Sequence, residues 1–560
     1  IFYYKTKEIK NIHCKLIMCG IFALLYADVH KLENNRQLID KYFEYGKKRG
    51  PEYSKITNIK QDIRFGFHRL CINGLNNISN QPIYSEKCIL ICNGEIYNYK
   101  SLADSFNLKM KTQSDCEVIS LLYEKIGIDC VNLLDGVFAF VLFDKNTNEI
   151  IIGRDPYGVR PLYVCNYVNN VIGFSSDLAP LMYDKEFTNI SQVMPGTISK
   201  YKRNKLNYNC FFTNKYFDNI SYITLSELPI EYYMYNLVNK LNNAVKKRVD
   251  NCEREIACLL SGGLDSSIIS AMVCKEYFKK TGKRLQTYSI GLEEATDLKY
   301  ASYVADYIGS NHYELVYSEE EFMNSIPEVI YDIESYDTTT VRASVGNWNV
   351  AKYISQNSEA KVVFNGDGSD ELMGGYLYFH CAPDNKEFHN ETLRLLSKIS
   401  HFDVLRSDKC VSSHGLEPRT PFLDKEFTKF YLSIPIEYRN HCNEKRCEKY
   451  LIRKAIELYM PELLPKEILW RKKEAFSDGV SSENNSWYNI IHKSLERKKM
   501  NDCEYFYNEP KTNEQKYYRD IFEKYYPNCE KILPYFWMPK FIKNTTDSSA
   551  RTLDIYNVSV

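Results

Sequence analysis

The sequence carries no excess of either charge: 72 Lys and Arg residues are matched by 72 Asp and Glu residues across 560 positions. A neutral chain lacks the long-range field with which basic proteins gather nucleic acid or anionic membrane. No apolar run approaches the ~18–20 residues that span a bilayer. Residues 1–17 hold no uninterrupted apolar stretch of the kind a secretory signal requires. None of the 18 cysteines forms a Cys-x-x-Cys pair, so a zinc ribbon or finger is not expected. A disulfide scaffold is not expected either in a large intracellular-type chain, and most thiols are read as small core residues. The chain also lacks internal repeats and the Gly-Lys-[Ser/Thr] ending of a Walker phosphate loop. These absences predict a cytoplasmic protein that acts on small molecules, with no nucleic-acid and no membrane partner.

What is present is enough apolar material, 44% of residues, to bury real cores, in a chain long enough for two or three domains. From Cys19 to about Lys205, short apolar runs alternate with turns: Gly20–Tyr26, Ile89–Cys92, Val137–Phe143, Ile150–Gly153 and Pro161–Cys165. That spacing predicts antiparallel strands. Ser114–Lys125 has helical periodicity, with Val118, Leu121 and Leu122 on one face. The Asn-rich stretch Asn204–Ser221 reads as a linker. From about Ile230 the texture changes to helix (Tyr232–Asn251), strand (Glu255–Leu260), Gly-rich turn, helix (Ser266–Lys279) and strand (Gln286–Gly291). This is the unit of a parallel α/β sheet. The remainder reads as mainly helical. The expected division is a leader at 1–18, a first domain at 19–205, a linker at 206–229, a second domain at 230–543 and a frayed tail at 544–560.

Cys19 follows Met18, which is read as the true start. A cysteine with a free α-amine, of ordinary pKa near 8, carries nucleophile and base in one residue. Arg69 offers a planar fork to a carboxylate. Asp115 offers a countercharge to an ammonium, and Asn93 with the Gly94 N–H offers donors to an oxyanion. Read singly, Asn93-Gly94 is equally a hairpin turn and Arg69 a surface charge. Together, Phe67-His-Arg-Leu-Cys71, Cys92-Asn-Gly-Glu-Ile-Tyr-Asn98, Thr112-Gln-Ser-Asp-Cys-Glu117, Arg154-Asp-Pro-Tyr-Gly-Val-Arg160 and Phe174-Ser-Ser-Asp177 resemble the glutaminase domain of class II glutamine amidotransferases. The resemblance implies an Ntn-type αββα antiparallel sandwich. It implies that Cys19 is the nucleophile and that Asn93 and Gly94 form the oxyanion hole. Arg69, Leu70, Cys71, Ile72, Asn93, Gly94, Glu95 and Asp115 would hold glutamine. With residues 1–18 attached, the Cys19 nitrogen is an amide and cannot accept a proton.

A second motif, Ser261-Gly-Gly-Leu-Asp-Ser-Ser267, sits between a strand and a helix. Glycines let backbone N–H groups approach phosphate oxygens, and the helix N-terminus adds positive potential. Without a Walker lysine, γ-phosphate transfer is not the natural inference. Asn365-Gly-Asp-Gly-Ser-Asp-Glu371 follows the strand Lys361–Phe364. Asp265 and Asp370 are the candidates to carry Mg²⁺, although an acidic loop of this kind is also a structural turn. Arg342 and Lys473 are cations that could neutralise a departing pyrophosphate.

With Glu334-Ser-Tyr-Asp337, Gly374-Gly-Tyr376 and Pro421-Phe-Leu-Asp424, these segments resemble the synthetase domain of glutamine-hydrolysing asparagine synthetases over nearly all of 230–540. The resemblance implies a PP-loop ATP pyrophosphatase α/β fold with a parallel sheet. Its adenine pocket would comprise Leu259, Ile290, Asn365 and Gly366. Phosphate and Mg²⁺ contacts would come from Ser261, Gly262, Gly263, Leu264, Asp265, Ser266, Ser267 and Asp370. Arg342, Asp367 and Lys473 would be catalytic. It implies glutamine, aspartate and ATP as substrates, Mg²⁺ with ATP, a protected route for ammonia, and a family that often forms homodimers. Two departures stand out. Asp367 occupies the place of the family's glutamate, one methylene shorter, and Ser407-Asp-Lys409 and His414-Gly415 replace the family's Ala-Asn-Lys and Trp-Gly. Three other outcomes stay open: a relative that cyclises or amidates another carboxylate, against which the intact glutaminase set argues; an ammonia-dependent synthetase with an idle glutaminase site; and a weakly active glutamine- or nucleotide-binding regulator.

Overall fold

A computed structural model describes residues 19–28, 34–50, 52–204, 207–218, 228–444, 446–482, 485–496, 498, 504–543, 545 and 547–553. The expected leader at 1–18 lies outside the described residues, as do 219–227 of the expected linker and 554–560 of the expected tail.

The first part is built from strands β1 (Gly20–Tyr26), β2 (Tyr53–Lys60), β3 (Ile63–Arg69), β4 (Ile83–Tyr84), β5 (Cys88–Ile96), β6 (Gly136–Asp144), β7 (Glu149–Arg154), β8 (Tyr163–Tyr167), β9 (Val171–Ser175), β10 (Phe187–Gln192), β11 (Thr197–Arg203) and β12 (Tyr208–Lys215). They form two antiparallel sheets, ordered β10-β8-β9-β1-β3-β2 and β12-β11-β7-β6-β5-β4. β1 is buried at every position because both of its faces are covered. Successive side chains point to opposite faces of a strand. Ile21, Ala23 and Leu25 meet Ile89, Ile91, Ala139 and Val141 of the facing sheet. Phe22, Leu24 and Tyr26 pack instead with Ile39 and Phe43 of helix Arg36–Phe43. Behind the second sheet, Leu90, Cys92, Phe138 and Phe140 cover Val118, Ile119 and Leu122 of helix Glu117–Ile126. Helix, sheet, sheet, helix is the expected αββα sandwich.

The second part holds a parallel sheet of β13 (Glu255–Leu259), β14 (Gln286–Leu292), β15 (Asn311–Tyr317), β16 (Ala360–Phe364) and β17 (Glu417–Arg419), ordered β15-β14-β13-β16-β17. Both faces are covered, as parallel sheets require. Ile256 and Cys258 pack with Ile268, Ile269 and Met272 of helix Leu264–Thr281. Ala257 and Ile290 pack with Val341 and Val345 of helix Thr338–Asn357.

Two expectations about the connecting regions need correction. The stretch read as a linker contains β12, which pairs with β11 from Thr197–Lys215 to Arg203–Tyr208. It is an outer strand whose side chains are mostly exposed, so its polar composition hides it. The tail is not frayed where it is described: Asp547, Ser548, Ser549 and Arg551 all bond to the body of the second domain. Strands β15 and β17 were also not visible in the hydropathy pattern. No helix among the described residues is long and apolar enough to cross a membrane.

Candidate active sites

The Cys19 thiol sits against the main chain of Leu70, donating to its carbonyl at 3.4 Å and accepting from its N–H at 3.3 Å. Register brings them close: Gly20 pairs with His68 across antiparallel β1 and β3, which puts Cys19 opposite Arg69 and beside the next residue, Leu70. Burial pushes the thiol well above the ordinary range, so the sulfur needs a base to become a nucleophile. Ser176 ties Asn93 to the same strand end: its hydroxyl oxygen accepts from Ile21 N–H at 3.0 Å and from Asn93 Nδ2 at 3.5 Å. Asn93 and Gly94 lie within β5, opposite Ala139 and Phe138, so they are strand residues rather than a hairpin turn.

Asp115 accepts the Ile96 N–H at 2.6 Å, and burial raises its carboxyl to about 7. Glu95 accepts Asn73 Nδ2 at 2.5 Å and faces Arg419 at 3.4 Å. Burial and the Asp115 charge raise Glu95 well above the usual carboxylate range.

Arg69 is placed differently from expectation. Its terminal nitrogens donate to the carbonyls of Asn76 (3.0 Å), Asn73 (3.1 Å) and Gly74 (2.5 Å) and to Asn80 Oδ1 (2.7 Å). A guanidinium has five N–H donors, and here the 73–80 loop occupies its fork. Cys71 gives its N–H to Glu52 at 2.7 Å, and the Ile72 carbonyl accepts from Glu253.

The second site is a cleft at the carboxyl ends of β13, β14 and β16. This is where parallel α/β sheets bind ligands. The residues Leu259, Ser261, Gly263, Leu264, Asp265, Ser266, Ile290, Asn365, Gly366, Asp367, Asp370 and Lys473 all line it. The turn is braced from inside: Ser261 Oγ lies 3.0 Å from Ser266 Oγ and accepts the Gly263 N–H at 3.3 Å. Gly262 does not line the cleft but makes the turn possible. Its φ is +72°, and a Cβ there would fall 2.5 Å from the Tyr300–Ala301 backbone. Ser267 is a correction: its hydroxyl is wholly buried inside the following helix and bonds to nothing among the described residues.

Asp265 and Asp370 converge on two ammonium groups. Lys449 reaches Asp265 at 2.5 Å and Asp370 at 2.6 Å; Lys473 reaches Asp370 at 2.6 Å and Asp265 at 3.9 Å. The two lysines hold the Asp370 carboxyl well below its ordinary range despite burial. Lys449 was not recognisable from sequence. It lies outside any motif, at a positive φ of 57° ahead of helix Tyr450–Tyr459. Arg406 was missed for the same reason; it donates to Asp367 Oδ1 at 2.8 Å and to Asp403 at 3.0 Å. Burial raises the Asp367 carboxyl, and its other oxygen is buried without a hydrogen bond among the described residues.

Arg342 is not brought to this cleft. It is 3% exposed and held by Glu514 and by Asp547 of the tail. Its neighbours Thr339 and Ala343 line the cleft, while the guanidinium leaves the helix on another side.

Between the two sites runs a buried charge network. Arg49 bonds Asp177 at 3.1 Å and Asp408 at 2.6 Å; Arg160 faces Asp408 at 3.5 Å and Glu417 at 3.2 Å. Lys409 bonds Asp177, the Ser176 carbonyl at 3.0 Å and Glu334 at 2.6 Å. Asp408 and Lys409 belong to the segment that departs from the family pattern, and they are wholly buried here.

An αββα sandwich that buries a thiol beside paired carboxyl groups, joined to a parallel sheet with a Gly-Gly phosphate turn, defines an amidotransferase-coupled, nucleotide-dependent ligase. Residues 18–230 match the glutamine amidotransferase domain family, and 236–394 and 382–537 match the asparagine synthase family. The glutamine-hydrolysing asparagine synthetases of Homo sapiens and Pongo abelii are each 41% identical over 573 residues, covering 97% of this chain and 100% of theirs. That of Gallus gallus is 40% identical over 572 residues, with 97% and 100% covered. The chain belongs to the glutamine-hydrolysing asparagine synthetase family.

Proposed function

We propose that the chain makes asparagine from aspartate, with glutamine as nitrogen donor and ATP as the activating substrate. The observation that carries this is the convergence of Asp265, Asp370, Lys449 and Lys473 beside the Gly-Gly turn, in a chain that also seats the Cys19 thiol against Leu70.

At the first site Cys19 attacks the glutamine amide. Its burial-raised thiol must lose a proton, and a free α-amine on Cys19 itself is the base. Asn93 Nδ2 and the Gly94 N–H receive the oxyanion, Asp115 and Glu95 receive the substrate ammonium, and water releases glutamate from the thioester. At the second site the β-carboxylate of aspartate attacks the α-phosphorus of ATP, giving β-aspartyl-AMP and pyrophosphate. Leu259 and Ile290 offer apolar walls to the adenine, and the N–H groups opening helix Leu264–Thr281 face the phosphates. Lys449 and Lys473 turn from the carboxylates to the leaving pyrophosphate. Asp265 and Asp370 are hard oxygen donors, facing each other across the same ammonium groups, and fit Mg²⁺. The ion would neutralise phosphate charge there. Ammonia then displaces AMP, and the unbonded oxygen of Asp367 takes the proton it sheds. Because free ammonia is mostly protonated in water, the buried contacts between the sites favour transfer out of solvent.

One observation favours a second reading. With its fork occupied by the 73–80 loop, Arg69 does not offer a carboxylate receptor in this conformation, which would leave the glutaminase half idle and ammonium as the donor. One assay separates them: aspartate and Mg-ATP with either glutamine or ammonium, measuring asparagine and pyrophosphate. Product from both donors supports the proposal. Product from ammonium alone supports the second reading, and no product from either overturns both.

A further inference from the structure

Two His-Cys dipeptides, His380-Cys381 and His441-Cys442, lie sixty-one residues apart in sequence and meet in the fold. The first ends the 3-10 turn Leu377–Cys381 and the second opens the 3-10 turn His441–Glu444. A ring nitrogen of His380, a ring nitrogen of His441 and the Cys442 sulfur all fall within 4.8 Å of one another. The two imidazoles approach edge to face, centroids 4.7 Å apart.

His441 supplies an independent observation. It is only 2% exposed, and neither of its ring nitrogens has a hydrogen-bond partner among the described residues. It packs on Phe388, with ring centroids 5.5 Å apart. A buried polar atom left unpaired forfeits its hydration without compensation, so an imidazole with both nitrogens idle asks for a ligand. The other cluster of this composition, His492 with Glu514 and Asp547, makes no such request, because the Arg342 guanidinium already sits between its carboxylates.

We propose that His380, His441 and Cys442 bind a zinc-type divalent cation. Two imidazoles and a thiolate are the donor set that zinc takes, at about 2.0–2.3 Å from the metal. A tetrahedral ion separates its ligand atoms by roughly 3–4 Å, so the side chains need only close slightly. Cys442 now donates its S–H to the Phe379 carbonyl at 3.1 Å. On binding it releases that proton to solvent and becomes the thiolate ligand. The fourth position is open to water. The nearby cations do not oppose the ion, since Arg453 is paired with Glu448 and Lys449 with Asp265 and Asp370.

The ion would also act on the nucleotide cleft. His441 and Lys449 belong to one short segment, and the Leu377–Cys381 turn follows Tyr376, itself a cleft residue. A metal joining the two turns therefore fixes the segment that delivers Lys449 to Asp265 and Asp370.

The test uses the full chain, stripped of metal, titrated with Co²⁺ and then Zn²⁺. Cobalt bound by a thiolate gives a sulfur-to-metal charge-transfer band and the intense visible bands of a tetrahedral site. The proposal expects one Co²⁺ per chain with that band, displaced by one equivalent of Zn²⁺. Cys442→Ser removes the band, Cys210→Ser at an exposed position elsewhere keeps it, and His380→Ala weakens Co²⁺ binding at least about tenfold. His380 is partly exposed, so that variant leaves the core intact and keeps the test valid if Cys442→Ser fails to fold. A wild-type chain that shows no band at one equivalent, or a band that survives undiminished in both ligand variants, overturns the proposal.

Discussion

Asp547 grips Arg342 through two hydrogen bonds, of 2.8 Å to Nη1 and 2.7 Å to Nη2, while Glu514 takes the remaining face of the same guanidinium. The tail thereby closes on helix Thr338–Asn357, whose Thr339 and Ala343 line the nucleotide cleft. Arg551 bonds Glu474 and Ser549 bonds Asp478, so the clamp extends over the Lys473 segment. Arg342→Ala would leave two carboxylates facing each other with only the His492 imidazole, 3.3 Å from Glu514 and 3.8 Å from Asp547, beside them. Breaking a buried pair this way costs about 3–5 kcal/mol. We expect a lower urea midpoint, only partly restored by Arg342→Lys, because an ammonium cannot reproduce the fork. An unchanged midpoint with lost pyrophosphate release would instead return Arg342 to a role in the chemistry.

Lys449 contacts both cleft carboxylates, Asp265 at 2.5 Å and Asp370 at 2.6 Å. Replacing it by Met should lower ammonium-dependent pyrophosphate release by roughly 10²–10³-fold, the scale set by losing one preorganised charge in a closed site. Glutamine hydrolysis without ATP should be unchanged. Paired assays of glutamate and pyrophosphate check this, and equal losses in both would show a general folding defect.

Glutamine affinity should depend on pH through Asp115. Burial raises its carboxyl to about 7, so below that pH the neutral form dominates and cannot pair with the substrate ammonium. KM for glutamine should rise as pH falls through 7, approaching tenfold per unit at most. Above 7 it should level off. Asp115→Asn should raise KM and flatten the profile. A KM that stays constant between pH 6 and 8 in the wild type would contradict this assignment.

Asp367 is held by Arg406 through Oδ1, while its Oδ2 has no hydrogen-bond partner within 3.5 Å among the described residues. Asp367→Asn removes the proton acceptor while keeping its shape. We expect kcat for asparagine formation to drop by roughly 10²–10⁴, with a smaller change in KM for ATP. Asp367→Glu should retain activity. Measured kcat and KM with ammonium as donor decide this, and an unaltered kcat in the Asn variant would remove Asp367 from the reaction.

Where local chemistry is enough, the sequence reveals the structure. The short apolar runs in Gly20–Tyr26 and Cys88–Ile96 show the strands, and the Ser261-Gly-Gly-Leu-Asp turn shows the phosphate end of the cleft, because each depends on neighbours in the chain. What depends on distant partners is not visible there. The tail reads as polar and frayed, since its stabilisation comes from Arg342 and Glu474, far away in sequence. β12 reads as linker because an outer strand with exposed side chains has no apolar face to announce it. The Arg69 fork is absorbed by carbonyls, which every loop possesses and no residue type advertises. Lys449 sits at a left-handed backbone position outside any motif, and His380 meets His441 and Cys442 only through the fold.

The account rests on nitrogen passing from Cys19 to the nucleotide cleft within one chain. The most direct measurement supplies amide-¹⁵N glutamine, aspartate and Mg-ATP to a chain beginning at Cys19, with excess unlabelled ammonium in solution. It follows label in asparagine by mass. The account predicts labelled asparagine formed in step with pyrophosphate, and loss of the label, but not of asparagine, in Cys19→Ser. Unlabelled asparagine from the intact chain, with glutamate released alongside, would contradict it.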